Sequence, residues 1–134
     1  MTRVLLLIIA VLWLTTGLVI FSAPRTFYDL TPGLSLMGPY SVHFICDVGL
    51  AFVASGAVTV AGASLHGREL ALAGVSWPFL HALLHVQIWG HRGFPFDRIA
   101  GFDVVAVILP ALFAAALAWQ LRTPGLSVRR EAAQ

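Results

Sequence analysis

A chain of 134 residues has room for one domain, and this one is 59% hydrophobic and only 10% charged. Its mean hydropathy of +0.89 excludes an ordinary soluble domain and points to an integral membrane protein. A net charge of +2, from arginines and acids without any lysine, leaves no basic patch with interleaved aromatics, which excludes nucleic-acid binding; the single Cys46 excludes an internal disulfide and a CxxC mechanism.

The first element is the uncharged run VLLLIIAVLWLTTGLVIFS, residues 4–22. It is long enough to cross a hydrocarbon core of roughly 30 Å at about 1.5 Å per residue. It is also longer than a signal-peptide core of about 7–15 residues. The Phe21–Pro24 region makes a poor cleavage site, so the expectation is a retained first span. Residues 23–40, APRTFYDLTPGLSLMGPY, have the prolines, glycines and tyrosines of a connector at headgroup level. A second span is expected over 41–64. After the short polar link LHGRE come a third span over 70–90, the connector HRGFPFDRIAG and a fourth span over 102–121. Residues 122–134 read as a basic cytoplasmic tail. The fold class is therefore all-α, a four-helix bundle spanning the inner (plasma) membrane.

Orientation follows from arginine placement. With the N-terminus inside, the inner side carries Arg3, Arg68, Arg122, Arg129 and Arg130, and the outer side Arg25, Arg92 and Arg98. That predicts both termini inside. Gly49, Gly56 and Ala63 recur at a seven-residue spacing and make one face of the second span slim, as close helix packing in lipid requires. Pro78 and Pro110 each remove a backbone hydrogen bond and should kink spans three and four.

The ionisable residues within the spans carry the functional signal. His43 and Asp47 fall early in span two, His81 and His85 late in span three, and Asp103 near the start of span four. In an up-down-up-down bundle all five come to the outer side. At about 1.5 Å per residue Asp47, His85 and Asp103 share a layer, with His43 above and His81 below. Each i, i+4 pair occupies one helix face. Because ionisable groups facing hydrocarbon are costly, each pair is expected to turn inward. Inward-facing pairs on neighbouring helices are how bundles build metal sites. His43, Asp47, His81, His85 and Asp103 are thus the candidate ligands for copper, zinc or iron. A haem held axially by His43 and His85 is a less favoured form. The same residues could instead serve as hydrogen-bonding glue, with Asp47 accepting from His85, or Asp103 from Tyr40 or His43. His91 is a further candidate at the interface.

The segments GPYSVHFICDVG (38–49) and WPFLHALLHVQIWGHRGFP (77–95) resemble a family of small, uncharacterised bacterial four-span membrane proteins. That family opens its second span with Gly-Pro-Tyr-x-x-His-x-x-x-Asp-Val-Gly and closes its third with histidines spaced by four. The resemblance places the characteristic positions at Gly38, Pro39, Tyr40, His43, Asp47, Val48, Gly49, His81 and His85. This chain departs from it at Ser41 and Val42, where the family has a polar pair. It departs again at Ile88, where a third histidine often stands and this chain delays to His91. The resemblance implies a topology and no particular activity.

Three functional readings follow. One is a His/Asp metal or haem protein whose site lies near the outer face. The second is an accessory or assembly subunit of a larger membrane complex, its polar cluster structural. The third, a proton-coupled carrier, is the least favoured, because the inner half of span two offers only Ser55, Thr59 and Ser64. The lipid bilayer is a partner under all three.

Overall fold

The computed structural model describes residues 1–122; the basic tail beyond Arg122 lies outside the described residues. All regular structure among them is helical. Helix α1 spans Thr2–Ser22 and α2 Pro24–Leu30; after a 3-10 turn at Leu34–Leu36, α3 spans Val42–Ala61 and continues as a π-helical turn through His66. Helix α4 spans Arg68–His91, and α5, Arg98–Phe102, runs through a π-helical segment, Asp103–Ile108, into α6, Leu109–Trp119. Four units are long and apolar enough to cross a membrane: Thr2–Ser22, Val42–Leu65, Arg68–His91 and Arg98–Trp119. They fit a small multi-pass membrane protein, as the composition predicts.

The bundle is a ring in which α1 packs on α3, α3 on α4, α4 on α6 and α6 back on α1. Spans two and four are therefore diagonal. The α1–α3 contact is the most extensive, and it works because the backbones nearly touch. A Cβ added to Gly17 would lie 2.5 Å from the Gly49 carbonyl oxygen, and one added to Gly56 would lie 2.7 Å from the Ala10 carbonyl oxygen. Without a hydrophobic drive between helices in lipid, such close van der Waals packing is the main cohesive term. Leu6, Trp13, Ala71, Val75, Ala82, Ala111, Ala114 and Leu117 fill the centre. The slim face read from Gly49, Gly56 and Ala63 is thus put to use: both glycines press on α1, and Ala63 is buried.

Each boundary has a local cause. Pro24 cannot continue α1 and sits at the first turn of α2, where its missing N–H costs nothing. Ser41 caps α3, its side chain accepting from the Phe44 N–H. The expected five-residue link LHGRE shrinks to Gly67. A π-type bond from the Gly67 N–H to the Gly62 carbonyl (2.8 Å) prolongs α3, and the positive φ of Gly67 (80°) turns the chain straight into α4. The fourth span starts at Arg98 rather than 102, because Asp97 caps it by accepting from the Ala100 N–H at 2.9 Å. The Asp97 carboxylate also meets Arg92. Helix α4 runs through Pro78 without interruption. Pro110 instead follows the π-helical segment, in which the Leu109 N–H reaches back to the Val104 carbonyl. The wider turn lies just where the missing proline N–H would break an α-helical ladder.

At the end of the bundle away from the N-terminus, here termed distal, the two connectors are folded rather than slack. Tyr28 Oη donates to the Gly38 carbonyl (2.7 Å), its ring meets Tyr40 edge-on, and Arg25 lies over the Tyr40 ring while pairing with Asp29. Trp89 Nε1 donates to the Pro95 carbonyl (2.9 Å), wrapping residues 92–97 around the end of α4. At the opposite end the Arg68 guanidinium lies 3.7 Å from the Trp119 ring centroid.

Candidate functional site

All five candidate residues lie in the distal half, as their positions along the spans require. They form two groups rather than one. His81 and His85 on α4 and Asp103 in span four come together inside the bundle. His43 and Asp47 on α3 face away from it.

The inner group is built along one stripe of α4. Trp77, His81 and His85 follow each other at i, i+4 and i+8, which stacks their rings up a single face. The Trp77 and His81 rings are stacked, 4.8 Å apart at 11°, and His85 meets His81 edge-on at 4.7 Å. Phe52 of α3 closes the column from the side, 4.9 Å from Trp77 and 5.9 Å from His81, both T-shaped. At the top of the column His85 Nδ1 lies 3.0 Å from Asp103 Oδ1, with side-chain exposures of 22% and 8%. Asp103 is the first residue of the π-helical segment, about 7–8 Å along the span from Arg98. It therefore bridges spans three and four from a buried position, and its partner is His85 rather than Tyr40 or His43.

The outer group follows from the packing of α3. Ile45, Gly49, Gly56 and Thr59 are buried, and about 100° per residue puts His43 and Asp47 on the opposite arc. His43 Nε2 and Asp47 Oδ2 are 3.4 Å apart, with side chains 88% and 58% exposed. The expectation that both pairs turn inward therefore fails for this one. Backbone contact between α1 and α3 requires the glycines on the inner arc, and it fixes the rotation that turns Asp47 out. Asp47 consequently does not meet His85 inside the bundle, and His43 and His85, the pair suggested for haem, are not brought together. Among the described residues no group of three or more His, Cys, Asp or Glu side chains is placed to hold a metal ion.

His91 is exposed, and its Nδ1 lies 2.9 Å from the Gln87 carbonyl of its own helix. Cys46 is partly buried and free. Just outside the spans, Asp97 is held below the usual carboxylate range, first by the Ala100 N–H and then by Arg92. The parts that residue spacing did not single out are Trp77 and Phe52. The i, i+4, i+8 continuation from Trp77 through His85 was the available signal for the first, whereas Phe52 needs the α3–α4 packing.

Comparison with protein-family models, with curated proteins and with solved structures found no match.

Proposed function

We propose that this chain is an assembly subunit of a plasma-membrane complex, docking a further membrane helix on the outward arc of α3. With the N-terminus inside, as the arginine distribution predicts, that docking arc lies in the outer leaflet. The observation that carries the reading is the 58% exposed carboxylate of Asp47, about 8 Å along α3, on an arc that no other helix among the described residues covers. A charged side chain at the middle of a span costs about 2.5–3.5 kcal/mol on insertion scales. A facing polar partner relieves part of that cost even nearer the membrane surface. The inner column then serves as a lock between spans three and four, leaving the outer arc as the working surface.

The test is purification in mild detergent after cross-linking in intact membranes. A complex larger than the single chain is expected, and Asp47→Leu should dissolve it while the variant still folds. A wild-type chain that cross-links to nothing and purifies as a monomer refutes the reading.

A metal reading is favoured by one specific feature. Asp103 faces Nδ1 of His85, whose ring meets His81 edge-on, and a carboxylate behind an imidazole is how ligating histidines are commonly oriented. Copper, zinc or iron would take His81 and His85 as two ligands, with the rest of the shell supplied from outside the chain. Haem has less support, since His43 and His85 stand apart. One equivalent of metal per chain, lost in both His81→Ala and His85→Ala, is the result this reading requires.

A further inference from the structure

We propose that the helix docking on α3 is the α3 of a second copy of this chain, and that His43 and Asp47 of the two copies together bind one zinc ion. The proposal rests on the assembly reading and names its partner.

The spacing of the pair already suits a zinc ion. Two ligands of one tetrahedral zinc, at metal–ligand lengths of about 2.0–2.1 Å, are separated by about 3.3–3.4 Å. His43 Nε2 and Asp47 Oδ2 are 3.4 Å apart, already at the length of one edge of that tetrahedron. The inner contact between His85 and Asp103, at 3.0 Å, is shorter than such an edge and reads as a direct polar contact.

Ligand number points to a second copy. A closed zinc site takes four protein ligands, and this face of one chain offers two. Two copies inserted with the same topology have parallel α3 helices. A twofold axis normal to the membrane therefore brings the same histidine and aspartate to the same depth on both sides. That completes a set of two imidazoles and two carboxylates, whereas the described residues of a single chain assemble no group of three. A different membrane protein would need to supply two matching ligands at this depth; a second copy does so by symmetry.

Charge balance favours the same set. Two neutral imidazoles, two carboxylates and a divalent cation sum to zero, the only total that sits cheaply at the edge of hydrocarbon. Below the pair the same arc continues with Leu50, Ala54 and Ala57, all exposed. Any straight helix face has this spacing, so the content is what counts. Two alanines beneath the ligands let two α3 helices approach closely enough for short side chains to share an ion.

The experiment uses the full chain in mild detergent at neutral pH, stripped with chelator and titrated with zinc ion alone. Native mass spectrometry reads mass and bound metal together. The expected result is a monomer without zinc and a dimer carrying one zinc per two chains. His43→Ala and Asp47→Asn should each weaken zinc-driven dimerisation at least about 100-fold, beyond the loss typical of an orienting partner. His85→Ala should keep both. Ala54→Cys in a Cys46→Ser background should cross-link across the seam only with zinc present. A chain that stays monomeric in saturating zinc, or a dimer indifferent to zinc and to His43→Ala, overturns the proposal. So does metal bound at one per chain and lost in His85→Ala, which assigns it to α4. If another protein occupies the α3 arc, the homodimer fails while the assembly reading stands; if membrane cross-linking finds nothing, both fail.

Discussion

Asp103 and His85 allow the inner lock to be weighed. Their contact at 3.0 Å joins spans three and four, and the aspartate side chain is only 8% exposed, so solvent does little to replace a lost partner. Interhelical polar contacts in membranes measure about 0.6 kcal/mol on average and up to about 1.7 kcal/mol in double-mutant cycles. A short contact between two ionisable groups at this burial belongs in the upper part of that range. Asp103→Leu and His85→Leu should therefore each destabilise the bundle by about 1–2 kcal/mol, since each leaves a mostly buried polar group without its partner. The double variant should be less destabilised than the sum, with a coupling of about 1–1.5 kcal/mol. Reversible unfolding in mixed micelles, followed by tryptophan fluorescence, measures all four corners of the cycle. Trp77 lies in the same column and reports on the site directly. Simple additivity would refute the lock, because two groups at this distance that do not couple hold nothing together.

Three further outcomes follow from the fold. Gly17→Ala would put a Cβ 2.5 Å from the Gly49 carbonyl oxygen and 2.7 Å from the Val53 nitrogen, both backbone atoms that cannot step aside. It should cost at least about 1–3 kcal/mol in the same unfolding assay. Gly101→Ala meets nothing within 4 Å and lies in a helix, so it should stabilise by up to about 1 kcal/mol. Asp97 should make the start of the fourth span acid-sensitive. Its folded pKa lies below the unfolded value, so its contribution is fully present above the ordinary aspartate value of about 3.9 and is lost as pH falls through the lower, folded value. The Ala100 amide resonance should move in that acid window, and Asp97→Asn, which can still cap without titrating, should abolish the movement.

The spans were legible because hydropathy over twenty or so residues is a strong signal, and the i, i+4 pairs were legible because helical geometry leaves no other arrangement. Their ends were less so. Asp97 and Gly67 each act through one backbone hydrogen bond, and such a bond moves a boundary by several residues without changing composition. The rotation of α3 departs from the inward expectation for a different reason. Placing Asp47 inward weighed the cost of a carboxylate in lipid against nothing, whereas the helix also had to choose which arc meets α1. Gly49 and Gly56 stand on one arc, His43 and Asp47 on the other, and only one arc can pack on Gly17 and Ala10.

That choice ties the fold to the function. A helix in lipid gains most where backbones approach, and α3 spends its glycines inside the chain. The arc left over is not a lipid-facing surface of the usual kind, because it opens with a histidine and an aspartate before turning to leucine and alanine. The inner group is different: Asp103 is buried, paired and braced by an aromatic column, so its polarity is answered within the chain. The group on α3 pairs only within itself, at 3.4 Å and exposed, and under the proposed function the docking helix supplies its counterpart.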